Sequence, residues 1–173
     1  LDPPAVLDWM SRSNNQQYAY CPLLYGYTNY SRPAFADRLI HFTNIPALGT
    51  NGPIGTQLGG TGLAISAACA NPSVALDYAF WLASADCQRT IYTAANGQPA
   101  NSVAWDDDAC NAITHNFFRD TRLTIDGAWV RPRYEGYLTV QDQGGDTLNR
   151  FLHERRDIST TLEELNGIWN EMP

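Results

Sequence analysis

The sequence predicts an α/β chain, rich in helix and built on a small strand core. Three observations predict it. Apolar residues recur at helical spacing in several segments, short runs of aromatic and aliphatic residues between them read as strands, and Gly/Pro clusters separate the two kinds of segment. With 173 residues, 44% of them hydrophobic, the chain can bury one core and fits one domain or one large lobe of a bigger protein.

Residues 3–10 read as a short helix, because Pro4 suits a first turn and Val6, Leu7 and Met10 form an apolar stripe. Residues 18–24 read as a strand, broken by Gly26, Asn29 and Pro33 into a loop that carries Tyr25, Tyr27 and Tyr30. A second short strand is expected at 39–43. Five glycines and two prolines between positions 46 and 60 make a loop with little capacity to pack, which feeds a compact buried strand at 62–67.

Asn71-Pro72 is a helix start, with Asn71 as N-cap and Pro72 in the first position. Leu76, Phe80 and Ala83 fall on one face of that helix, and Trp81 extends the stripe. Residues 86–95 predict a second helix, stopped by Asn96-Gly97. Helix resumes near Asp107, with Phe117 and Phe118 on its apolar side. Arg131-Pro132-Arg133-Tyr134 is a rigid extended connector, since proline fixes its own φ and pushes Arg131 away from helix. Thr160 and Glu163 match a capping box, after which Leu162, Leu165, Ile168, Trp169 and Met172 repeat at helical spacing.

All 11 basic residues are arginine, and 18 acidic residues bring the net charge to −7, a balance that repels phosphate backbones and argues against a nucleic-acid partner. The longest apolar runs are too short or too polar to cross a bilayer. Leu1-Asp2-Pro3-Pro4 lacks the basic and apolar regions of a secretory signal, as a mature chain or an excised piece would. Four cysteines, Cys21, Cys69, Cys87 and Cys110, stand in no CxxC spacing and allow three full pairings, with buried free thiols as the alternative. Cys87 and Cys110 flank the Gly97 turn, and a disulfide between them is expected, which favours an oxidising compartment.

The stretch Leu58-Gly59-Gly60-Thr61-Gly62-Leu63-Ala64-Ile65-Ser66, with Asn71-Pro72 and the helix Ala75 to Leu82 after it, resembles the family 1 extracellular solute-binding proteins. The likeness continues in order through Gln88-Arg89 and Tyr92, Asn96-Gly97-Gln98-Pro99, Ala104-Trp105, residues 131–137 and Trp169-Asn170. The resemblance implies an α/β fold of the periplasmic-binding-protein type II class, with this chain as a C-terminal portion contributing to both lobes: 1–57 to the second lobe, 58–99 to the first with the crossovers, and 100–173 mainly to second-lobe helices. It also implies extracytoplasmic capture of a solute, most of all a sugar, for an ABC importer by hinge closure of two lobes. Implied partners are the solute and the membrane permease subunits; implied location is periplasmic or extracellular, with no cofactor, no enzymatic activity and a monomeric full-length protein.

A sugar offers flat C–H faces and a rim of hydroxyls, so its site needs aromatic rings to stack on and planar polar groups to bond. Tyr25, Tyr27, Asn29 and Tyr30 fit this, or else line a strand edge. Gly59, Gly60 and Thr61 let backbone approach a ligand, or form a hinge turn. Gln98 offers a donor and an acceptor within what is also a helix stop. Trp129, Arg131, Arg133 and Tyr134 place guanidinium forks beside rings, while Glu135 and Asp126 are available as plain ion-pair partners. Trp81 and Trp105 read as core. Asp106-Asp107-Asp108 reads as a helix start more than a catalytic or metal site, and His41, His115 and His153 have no zinc spacing. Other solutes, an oligopeptide or a polyamine, and a stand-alone carbohydrate-binding module remain alternatives.

Overall fold

Asp2 begins the first helix by accepting the Ala5 N–H at 2.9 Å, and Pro3 and Pro4 occupy positions whose N–H groups have no helical acceptor. The resulting α1 (Pro3–Met10) matches the sequence reading, and Leu7 is its buried residue. It belongs to a computed structural model that describes residues 2–14, 20–47 and 49–171. By density of internal contact the chain divides into two units, Leu1–Trp129 and Val130–Pro173.

In the first unit a single 3-10 turn (Thr28–Ser31) follows α1 in sequence. After a long irregular stretch come α2 (Pro72–Ala83), α3 (Ala85–Cys87) running into a π-helical segment (Gln88–Tyr92), then α4 (Ser102–Asp106), α5 (Asp108–Ile113) and α6 (Phe117–Asp126). Ala104, Trp105, Cys110, Phe117 and Phe118 form the core, with Phe42 and Ile125 packed on it. Polar side chains beside this core are bonded. The Trp105 indole N–H reaches the Pro99 carbonyl at 2.8 Å, and the Asn111 amide donates to the carbonyls of Trp105 and Asp107 at 2.8 and 2.9 Å. Gln88, buried in the π segment, donates to the Leu82 carbonyl and accepts from Ala100 N–H at 2.7 Å, fixing the turn that carries residues 97–101.

The second unit is a helical hairpin, α7 (Tyr137–Glu154) and α8 (Ile158–Asn170). Tyr137 is buried, edge to face with Tyr134 and Trp169, and Glu164 receives Thr147, Arg150 and Arg156. The three donors hold the Glu164 carboxyl below its ordinary range, the Thr147 hydroxyl contributing most. No described helix is long and apolar enough to cross a membrane.

The α/β expectation is overturned, since among the described residues there is no strand and no sheet, and the periplasmic-binding type II architecture with its small mixed sheet goes with it. What remains is an isolated parallel bridge between Gln57 and Trp129. Each expected strand fails for its own reason. In 18–24, positions 18–19 lie outside the described residues, and Pro22 removes a ladder donor from the rest. Residues 39–43 touch the 3-10 turn through the Ile40 N–H to Tyr30 and the Ser31 hydroxyl to Ile40, which is one point of contact and not a ladder. Residues 62–67 are exposed throughout and have no ladder partner among the described residues, so their β preference goes unused.

Helix readings fared better, with corrections. The 86–95 helix is present but begins at Ala85 and is π-wound in its middle; Asn96 takes a left-handed φ of 67° and Gly97 N–H closes on the Tyr92 carbonyl. Asp107 caps a new helix in place of starting one long one, so Phe117 and Phe118 lie on α6. Asp157, not Thr160, caps α8, because its carboxylate takes the Thr160 N–H at 2.9 Å three residues earlier than the expected box. Leu165 and Ile168 are half-buried, Leu162 and Trp169 exposed, and Met172 lies outside the described residues. Trp105 is core as expected, whereas Trp81 is exposed and α2 buries no residue at all.

The expected Cys87–Cys110 disulfide is absent; all four cysteines are free thiols. Cys87 and Cys110 are both buried, and the Cys110 thiol donates to the Arg89 carbonyl at 3.1 Å instead of meeting sulfur. Burial pushes the Cys110 thiol up, so it stays protonated and inert.

Candidate ligand-binding site

The tyrosine loop is held from two sides. Beneath it, Gly26 lies so close to the core that a Cβ there would sit 2.9 Å from the Phe117 ring, so only glycine lets the loop rest on α6. Beside it, Gln98 uses both ends of its amide: Oε1 accepts the Thr28 N–H at 2.9 Å and Nε2 donates to the Gly26 carbonyl at 3.3 Å. Gln98 therefore clamps the loop, and, being exposed, it keeps one further N–H and one further lone pair that a ligand could use.

Clamped in this way, the loop presents Tyr25 and Tyr27 as exposed rings. Tyr25 lies against the Gly-rich segment, where a Cβ on Gly59 would meet the ring at 2.9 Å. That segment is in turn hung on Trp129, whose backbone bonds Thr56 and Leu58 at 2.8 Å each. Gly60 and Thr61 follow Gly59 in sequence and are exposed. Three segments far apart in sequence, around Tyr25, Gly59 and Gln98, therefore meet in one place, with Trp129 tied to the second of them. A flat ring seated on an exposed glycine-rich segment can stack on an apolar face, and backbone N–H groups of that segment can bond hydroxyls.

Other expected site residues are placed elsewhere or otherwise employed. Tyr30 is buried, and its hydroxyl donates to Asp8 and to the Pro4 carbonyl, fastening α1. Burial, aided by the Asp8 carboxylate, pushes that hydroxyl up to about 12. Asn29 is half-buried, its Oδ1 enclosed without a partner. Arg131, Arg133 and Tyr134 belong to the second unit while Trp129 belongs to the first, so the cluster read from the sequence is divided between them. Arg131 bonds Gln141 weakly at 3.4 Å, and Tyr134 packs edge-on against Tyr137.

Asp106, Asp107 and Asp108 do what a helix start requires. Asp107 caps α5 through the Cys110 N–H at 3.0 Å, a bond that holds its carboxyl below the usual range, while Asp106 and Asp108 pair with Arg122 and Arg119. Sequence reasoning missed three features. His41 and His115, distant in sequence, bring their rings to 6.1 Å, although among the described residues no group of three metal-ligating side chains forms. Gly26 carried no signal beyond turn composition. Arg32, in the unremarkable Ser31-Arg32-Pro33, turns out to be the one buried arginine.

No family model, curated protein or solved structure matches the chain.

Proposed function

We propose that this chain captures a sugar by stacking it on the exposed rings of Tyr25 and Tyr27, with backbone N–H groups at Gly60 and Thr61 and the Thr61 hydroxyl bonding its rim. The observation that carries this reading is the clamp: both ends of the Gln98 amide hold the tyrosine loop, and Tyr25 is seated on Gly59. A ring held ready loses little entropy on binding, which is how a modest surface site gains affinity. The resemblance extends the reading to a non-catalytic, extracytoplasmic subunit that delivers its sugar to the permease of an ABC importer, with a second lobe closing over the bound ring.

A second reading has support of its own. Tyr25, Tyr27, Gly60, Thr61 and Gln98 all lie within one unit, so the half-site needs no other lobe to exist, as in a stand-alone carbohydrate-binding module. Calorimetric titration against mono- and oligosaccharides, a dipeptide and spermidine tests both. Saturable heat with a sugar, lost in Tyr25→Ala, is the expected result. Heat only with the peptide or the polyamine, or sugar heat unchanged by Tyr25→Ala, would discard the sugar site.

A further inference from the structure

Among the described residues, Arg89, Arg119, Arg122, Arg150 and Arg156 have carboxylate partners, and all of these are exposed or half-buried. Arg32, the buried one at 9% exposure, has none among the described residues. Its guanidinium makes one hydrogen bond, from Nη2 to the Thr93 carbonyl at 2.8 Å, and its Nε is enclosed with no partner. This inverts the usual order. A solvated guanidinium needs no counter-ion, whereas at Arg32 Nε is cut off from water and one carbonyl replaces only part of the hydration lost.

Deprotonation does not relieve it, because arginine keeps its charge at any pH a protein survives. Burial lowers the Arg32 pKa, and Cys110, whose thiol burial keeps neutral, stands close to it. Asn29 Oδ1 is a local remedy, since it is also enclosed and unpartnered and stands three residues earlier, on the same side of the 3-10 turn. It supplies one acceptor and no charge, so the cation would remain uncompensated even with that bond made.

We propose that Arg32 is the binding site of a small monocarboxylate. With Nε enclosed, the fork that can meet a carboxylate is the Nη1 and Nη2 end, whose remaining N–H groups match its two oxygens, and a single negative charge neutralises the site. The net charge of −7 disfavours a multiply charged anion such as phosphate. The site stands apart from the sugar reading: it is built on Arg32 and Thr93, and it would exist if no sugar stacked on Tyr25.

The test is thermal unfolding of the whole chain with sodium acetate or sodium glucuronate, against sodium chloride at equal ionic strength. Both carboxylates should raise the midpoint saturably beyond chloride, through preferential binding to the folded state. Arg32→Met should abolish that rise and, by removing an unpaired buried charge, should lift the midpoint of the ligand-free chain above wild type. Should Arg32→Met fail to fold, Arg32→Lys keeps the charge and loses the fork, and must weaken the carboxylate effect by about tenfold or more. A wild-type midpoint indifferent to carboxylate, as satisfaction by Asn29 alone would give, overturns the proposal. So does a carboxylate effect that either variant retains in full.

Discussion

Two helices of the first unit each carry adjacent aromatic residues, and their fates are opposite. Phe117 and Phe118 on α6 are 3% and 0% exposed, while Phe80 and Trp81 on α2 are 68% and 45% exposed. Local pattern does not separate them. What separates them is company: α6 receives Trp105 from α4, Cys110 from α5 and Phe42 from the loop before them, whereas α2 has Val74, Leu76 and Tyr78 exposed as well, with apolar side chains on every face. A helix apolar all round is the kind found inside a larger body, and its exposed area here is the sort that marks an interaction surface.

The comparison is broken most readily at its buried end. Phe118→Ala should cost about 3–5 kcal/mol in denaturant unfolding, the range for emptying a close-packed aromatic site. A loss under about 1 kcal/mol would mean that the α4–α6 core is not what holds the unit together. Next in size is Gln98→Ala, which strands the enclosed Thr28 N–H and should cost about 1–3 kcal/mol; it should also weaken sugar binding in calorimetry by loosening Tyr25 and Tyr27.

Alkaline titration gives a smaller and pH-confined effect. The Tyr30 proton is held more tightly in the folded chain, at about 12 against an ordinary 10.0, so the stability it confers is whole below pH 10 and is lost as pH rises towards 12. Ultraviolet titration should show one tyrosine ionising after the exposed ones, and Tyr30→Phe should remove that last step. The smallest effect sharpens the comparison from its other end. Phe80→Ser should change stability by no more than about 0.5 kcal/mol, because the ring touches solvent; a core-sized loss would show that α2 is covered in solution.

How much of this was readable from the sequence follows the same division between local and distant causes. Asp2, Pro3 and Pro4 start α1 through atoms within a few residues, and Asn96-Gly97 ends a helix the same way, so both were legible. The expected strand at 62–67 was not, because a strand exists only with a neighbour, and composition shows preference without showing partners. The site behaves likewise. Tyr25 and Gly60 were named from their own chemistry, but the clamping role of Gln98 depends on the backbone of Gly26 and Thr28, some seventy positions away, and so composition did not show it. Arg32 was invisible because an arginine signals nothing until its burial is known.

The central claim is that a sugar sits on the clamped tyrosine loop, and the most direct measurement is an amide chemical-shift titration of the isotope-labelled chain with the sugar that gives calorimetric heat. Shifts are expected at Tyr25, Tyr27, Gly59, Gly60, Thr61 and Gln98, with α7 and α8 unmoved. Shifts gathered instead in the groove that Tyr137, Gly144, Leu148, Leu165 and Trp169 line between α7 and α8 would contradict it, as would a spectrum that no sugar alters.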